Sequence, residues 1–132
     1  MKKILVVDDE KDIIISLKES LTRLDKDFEV TGVESGEECL EILKNNEKPD
    51  LIVLDIMMPG MDGWELFNRL KENYQWSKIP IVFLTAKNDE FTKTFGTSVA
   101  SDFIEKPFDI YDLKNRINKI LKEIKYKSTL ER

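Results

Sequence analysis

Apolar residues recur along this chain in two alternating rhythms: short unbroken runs, and stripes spaced three or four residues apart. Ile4-Leu5-Val6-Val7, Leu51-Ile52-Val53-Leu54 and Ile81-Val82-Phe83-Leu84 are continuous runs, the pattern of strands buried on both faces. Phe28 to Val33 reads as a shorter strand and Phe103-Ile104 as a fifth. Helical stripes lie between them. Ile14, Leu17, Leu21 and Leu24 form one, and Leu66, Phe67 and Leu70 another. Ile110, Leu113, Ile117, Leu121 and Ile124 mark the inner face of the last helix. Ser35 with Glu38, and Asp62 with Glu65, are capping-box signatures. The first opens a helix to about Asn45; the second follows the Pro59-Gly60 turn. Five strands alternating with helices predict an α/β fold: one parallel sheet, right-handed crossovers and helices on both faces.

One stretch fits less well. Phe91, Phe95 and Val99 keep a helical spacing, but Thr92, Thr94, Gly96, Thr97 and Ser98 are weak helix formers. A short or loosely held helix is expected there, and Asn88 to Ala100 is expected to be the most mobile part of the domain. No linker, repeat or low-complexity segment divides the chain, so one domain is read over 1–125, followed by a polar tail over 126–132.

Composition narrows the function classes. At 132 residues, 41% hydrophobic and 36% charged, the chain suits one soluble domain with a real core. No stretch approaches the roughly 20 apolar residues of a membrane span. The apolar run after Met1-Lys2-Lys3 stops at Asp8-Asp9-Glu10, too early for an export signal, so a cytoplasmic location is expected. The absence of histidine excludes a Ser-His-Asp triad, a His-ligated zinc and an internal phosphohistidine. The single Cys39 excludes an intrachain disulfide and reads as a small packed side chain. A net charge of −5 argues against nucleic acid as a direct partner, although a local basic face is compatible with it. Lys114, Lys119, Lys122 and Lys125 read as the solvated outer face of the last helix.

The informative positions are the strand ends. Strand one runs into Asp8-Asp9, strand three into Asp55, strand four into Thr85 and strand five into Lys106. In an open parallel sheet these ends share the carboxyl edge, where ligands bind beside the topological switch point. Taken singly, Asp8 or Asp9 is as readily a helix N-cap, Thr85 a plain strand residue and Lys106 a solvated lysine. Chance rarely sets all five at strand ends. Three converging carboxylates call for a compensating cation, and all-oxygen ligation selects a hard ion such as Mg²⁺. Lys106 and Thr85 add a positive charge and a hydroxyl donor, which together suit a transferring phosphoryl group. A carboxylate is itself a nucleophile towards phosphorus, and Asp55, ending the central strand, is the candidate.

These residues resemble the receiver domain of two-component response regulators over essentially the whole chain. The stretches that carry the resemblance are Ile4 to Glu10, Leu54 to Gly63, Leu84-Thr85-Ala86 and Lys106-Pro107-Phe108. The resemblance implies a doubly wound, flavodoxin-like sheet of strand order 2-1-3-4-5. It implies a phosphoryl-accepting regulator that promotes its own phosphorylation and dephosphorylation without being a turnover enzyme. Asp55 would take the phosphoryl group from a phosphohistidine of a sensor kinase or phosphotransfer protein. Asp9 and Asp55 would bind Mg²⁺ through side chains, Met57 through its backbone carbonyl and Asp8 largely through water. Thr85, the amide of Ala86 and Lys106 would hold phosphoryl oxygens, and the Lys106–Pro107 peptide would be cis. Phe103 stands where the family carries a switch aromatic, often Tyr; lacking a hydroxyl, it would switch by packing alone. A downstream protein target is implied, and a homodimer through the face of the fourth helix, strand five and the last helix. Arg116 matches an arginine that some members use for dimerisation there. Val99 and Ser101 depart from the Gly-Ala-Asp-Asp run common before strand five.

Other readings fit less well. A haloacid-dehalogenase-type phosphatase wants Asp-x-Asp, and Met57 occupies the second position. A flavodoxin-like FMN site needs donors after strand one, where Asp8-Asp9-Glu10 would repel a phosphate. A pseudo-receiver would be expected to lack one of the five residues.

Overall fold

The computed structural model describes residues 1–45, 47–86 and 102–130. Strands β1 (Lys2–Val7), β2 (Phe28–Val33), β3 (Leu51–Asp55), β4 (Ile81–Thr85) and β5 (Asp102–Glu105) form one parallel sheet in the order β2-β1-β3-β4-β5. Helices α1 (Lys11–Leu24), α2 (Gly36–Lys44), α3 (Gly63–Glu72) and a C-terminal helix (Ile110–Leu130) cover it. The order reverses between β1 and β3, so the cleft expected at a switch point opens above those two strands.

The unbroken apolar runs are explained by burial on both sides. Alternate residues face alternate layers. Leu5, Val7, Ile52, Leu54 and Phe83 pack with Leu40 and Leu43 of α2 and Leu66, Phe67 and Leu70 of α3. Ile4, Val6, Leu51, Val53, Val82 and Leu84 pack with Leu17 and Leu21 of α1 and Leu113 and Ile117 of the C-terminal helix. Cys39 lies buried in the first layer. Both cores fix the strand register, which sets Asp55 beside Leu84 and Thr85 beside Glu105.

The caps form largely as the sequence predicts. Ser35 Oγ accepts from the Glu38 amide at 3.2 Å, and Asp62 Oδ1 from the Glu65 amide at 2.9 Å. The return arm of the first box shifts by one residue, with Glu38 Oε2 accepting from Glu34 N at 3.4 Å. Neither Asp8 nor Asp9 is the N-cap of α1. That position is Glu10, whose side chain makes no capping bond.

At the other end of the chain the C-terminal helix continues to Leu130. Its inner stripe holds for Leu113 and Ile117 but not for Ile124, which is 43% exposed. Asn118 meets Lys2, the first residue of β1, at 2.8 Å, and Ile120 and Leu121 still pack on the core, but the turns after them run beyond it. The segment Asn88 to Ala100, with its expected weak helix, and Ser101 lie outside the described residues.

Candidate functional site

The carboxyl ends of the strands bring the expected side chains together. Asp8 follows β1 directly and is fully buried; its backbone amide bonds to Val33 O of β2 at 3.1 Å. Asp8 Oδ1 accepts from the Glu10 amide at 2.9 Å, which turns the chain and leaves Asp9 exposed. Asp55 ends β3 and is only 4% exposed. Asp8, Asp9 and Asp55 each offer a carboxylate oxygen, all within 4.8 Å of one another. From β5, the Lys106 ammonium stands 3.5 Å from Asp8 Oδ2 and 3.3 Å from Asp55 Oδ1. Its backbone amide bonds to Thr85 O at 2.8 Å, and the Lys106–Pro107 peptide is cis, as expected. Thr85 is buried, its hydroxyl donating to Ala86 O at 2.9 Å, while Ala86 is exposed.

Charge is concentrated there with little water to screen it. Burial raises the Asp55 carboxyl to about 6; neighbouring Asp8 pushes the same way, and Lys106 opposes both. Burial pulls the Lys106 ammonium down, but Asp55 and Asp8 outweigh it and hold the pKa above the usual lysine value. Asp8 and Asp55 thus share one firmly held cation at distances long for charged hydrogen bonds, with Asp9 close by. The all-oxygen donor set, held close and short of positive charge, fits a hard divalent ion of the Mg²⁺ kind.

Two expected participants stand further out. Met57 is 70% exposed, on the loop between β3 and α3. Phe103 is half-buried on β5, packed against the layer that holds Phe83. Arg116 is engaged within the chain, by Asp102 at 3.1 Å, by Asp112 at 3.1 Å and by Phe103 O at 3.3 Å.

Gly63 is the residue whose place in the site sequence reasoning passed over. Its amide donates to Ile56 O at 2.9 Å, so α3 begins against the end of β3. The sequence signals were its place closing the Leu54 to Gly63 stretch and a glycine directly after the Asp62 cap, where a better helix former would ordinarily stand.

Comparison with known proteins agrees with this arrangement. The profile of the response regulator receiver domain matches residues 4–118. The alkaline phosphatase synthesis transcriptional regulatory protein PhoP of Bacillus subtilis is 43% identical over 122 residues, covering 92% of this chain and 49% of that protein. The transcriptional regulatory protein AfsQ1 of Streptomyces coelicolor is 38% identical over 130 residues, covering 98% of this chain and 55% of the relative. Among solved structures, the receiver domain of a signal transduction histidine kinase from Syntrophus aciditrophicus superposes with a TM-score of 0.84 at 30% identity, covering 95% of this chain and 93% of that one.

The match over residues 4–118 shows that the chain belongs to the response regulator receiver family, a class of signalling domain in two-component systems. It spans about half the length of the curated relatives it matches. No described helix is long and apolar enough to cross a membrane.

Proposed function

We propose that Asp55 is the phosphoacceptor of a two-component relay, receiving the phosphoryl group from a phosphohistidine of a sensor kinase or phosphotransfer protein in the cytoplasm. The observation that carries this reading is the Lys106 ammonium lying within 3.5 Å of both buried carboxylates, with Thr85 on the neighbouring strand end. In the transfer, an Asp55 carboxylate oxygen attacks phosphorus and the bond from phosphorus to the imidazole nitrogen breaks. The imidazole leaves, and an acyl phosphate remains on Asp55. Lys106 turns from the carboxylates to one phosphoryl oxygen, and the Thr85 hydroxyl, released from Ala86 O, donates to another. The Ala86 amide completes the cradle. Asp8, Asp9, Asp55 and the Met57 carbonyl would hold Mg²⁺, whose charge offsets the carboxylates as an anionic group approaches. Movement of Thr85 at the end of β4 frees space that Phe103 fills by packing, which alters the surface read by a downstream protein.

The test is phosphorylation by acetyl phosphate with Mg²⁺, followed by intact mass. One added phosphoryl group, labile at alkaline pH, is expected. Asp55→Asn keeps the shape of the side chain but lacks the nucleophile, and is expected to remove the adduct, as is chelation of the metal. An adduct at normal yield on Asp55→Asn would refute the assignment.

A further inference from the structure

A β-carbon built on Gly63 would lie 2.5 Å from the carbonyl oxygen of Asp55, 2.6 Å from Cα of Ile56 and 3.2 Å from the carbonyl carbon of Asp55. All three are backbone atoms of the strand end that carries the phosphoacceptor. None can rotate out of the way. Two nearby glycines show that this is a particular constraint and not a general one. Gly36 would meet the Met61 sulfur at 2.6 Å, the flexible end of a side chain that can swing aside. Gly60 has open space around it and is needed for its backbone, at φ +72°.

The contact is reinforced on both sides of Gly63. Its own amide bonds to Ile56 O at 2.9 Å. The preceding residue, Asp62, caps α3 through the Glu65 amide. The next residue, Trp64, lays its ring on Phe83 of β4 at 4.8 Å between centroids, two positions before Thr85. The first turn of α3 is therefore fixed to the backbone of β3 at Asp55 and to the core side chain of β4 below Thr85. Those two strand ends are the ones the proposed transfer uses.

We infer that Gly63 is a positioning residue for the phosphoryl site. With no side chain it lets the start of α3 abut the Asp55–Ile56 backbone, and this contact sets where the Asp55 carboxylate and the Met57 carbonyl stand. The inference deepens the reading of Asp55 as phosphoacceptor and rests on it. Relieving the clash of an added methyl group requires α3 and the strand end to part by about 1 Å, a misplacement of the size that costs reacting groups on the order of 100-fold in rate.

The test compares Gly63→Ala with Gly36→Ala in the whole chain. Initial rates of adduct formation with acetyl phosphate, Mg²⁺ binding by calorimetry and thermal unfolding are measured together. Gly63→Ala is expected to slow adduct formation at least 10-fold and to weaken Mg²⁺ binding at a temperature where it remains folded. Gly36→Ala is expected to stay within about twofold on both. Should Gly63→Ala not fold, Asp62→Ala loosens the same turn without adding bulk, and a two- to threefold slowing in the folded protein is expected. A folded Gly63→Ala, or failing that Asp62→Ala, with the wild-type rate and metal affinity would overturn the inference. If the wild-type chain takes no phosphoryl group, the phosphoacceptor reading fails instead, and the calorimetry alone then decides whether Gly63 positions the carboxylate site.

Discussion

At the carboxyl end of the sheet the Lys106 ammonium stands 3.3 Å from Asp55 and 3.5 Å from Asp8. At the opposite end Lys2 stands 2.9 Å from Asp25 and 2.8 Å from Asn118, with its charge 4.7 Å above the Phe28 ring. Both sites set one lysine among acidic and polar groups, yet their carboxylates respond in opposite directions. Asp55 is raised to about 6, chiefly by burial. Asp25 is lowered to about 2, chiefly by its bond to Lys2, with the Asp27 amide helping. The lower carboxylate accepts from three donors, the Lys2 ammonium, the Asp27 amide and the Asn118 amide. The upper pair shares a single ammonium and is buried as well. The lower cluster ties β1, the α1–β2 turn and the C-terminal helix together and is complete as it stands. The upper one is left short of positive charge, the condition expected of carboxylates that serve the proposed site.

Removing the buried Asp55 charge is expected to have the largest effect. In chelator, Asp55→Asn is expected to stabilise the domain by about 1–3 kcal/mol at pH 7, read from urea unfolding. The sign follows from the shift. Asp55 holds its proton more tightly when folded, near 6, than when unfolded, near 3.8. Its contribution to stability is therefore greatest below 3.8 and falls as pH rises through 6. Wild type should lose stability across that window and Asp55→Asn should not. A variant less stable than wild type at pH 7 would mean that Lys106 satisfies the upper carboxylates after all.

How much of this was legible beforehand differs between the two ends. Asp8, Asp9, Asp55, Thr85 and Lys106 were legible because each closes an apolar run, and strand ends are written into a linear pattern. Lys2, Asp25 and Asn118 were not, because their meeting depends on where a turn and a long helix finish. The same reason hides Gly63, whose role depends on backbone distances that no spacing encodes. Ile124 was misplaced because period alone cannot say where the sheet stops beneath a helix; the stripe runs on, but its partner surface does not.

At the lower cluster the expected effect is smaller. Lys2→Met keeps an apolar stem against Phe28 but removes the ammonium from Asp25 and Asn118. It should cost about 1 kcal/mol at neutral pH, since both groups are partly exposed and Asp25 keeps the Asp27 amide. No change in the rate of adduct formation is expected. A slower rate would show that the lower cluster reaches the site through the sheet, and the two ends would no longer be separable.

The smallest expected effect sharpens the contrast through pH. Asp25 is lowered in the folded state, to about 2 from 3.8, so its stabilisation is complete above 3.8 and is lost as pH falls through 2. Asp25→Asn should therefore be slightly less stable than wild type from pH 7 down to about 4, and the two should converge as pH approaches 2. This is the mirror image of Asp55→Asn, whose gap from wild type closes below pH 4 from the opposite side. Salt separates the cases further. Asp25 and Lys2 are partly open to solvent, so added salt should shrink the Asp25→Asn difference, whereas the buried Asp55 should feel it far less. Unfolding curves for wild type and both variants, taken from pH 2 to 7 at two salt concentrations, decide the matter. Differences of the same sign and the same pH course at both ends would mean that the opposed shifts do not govern stability in this fold.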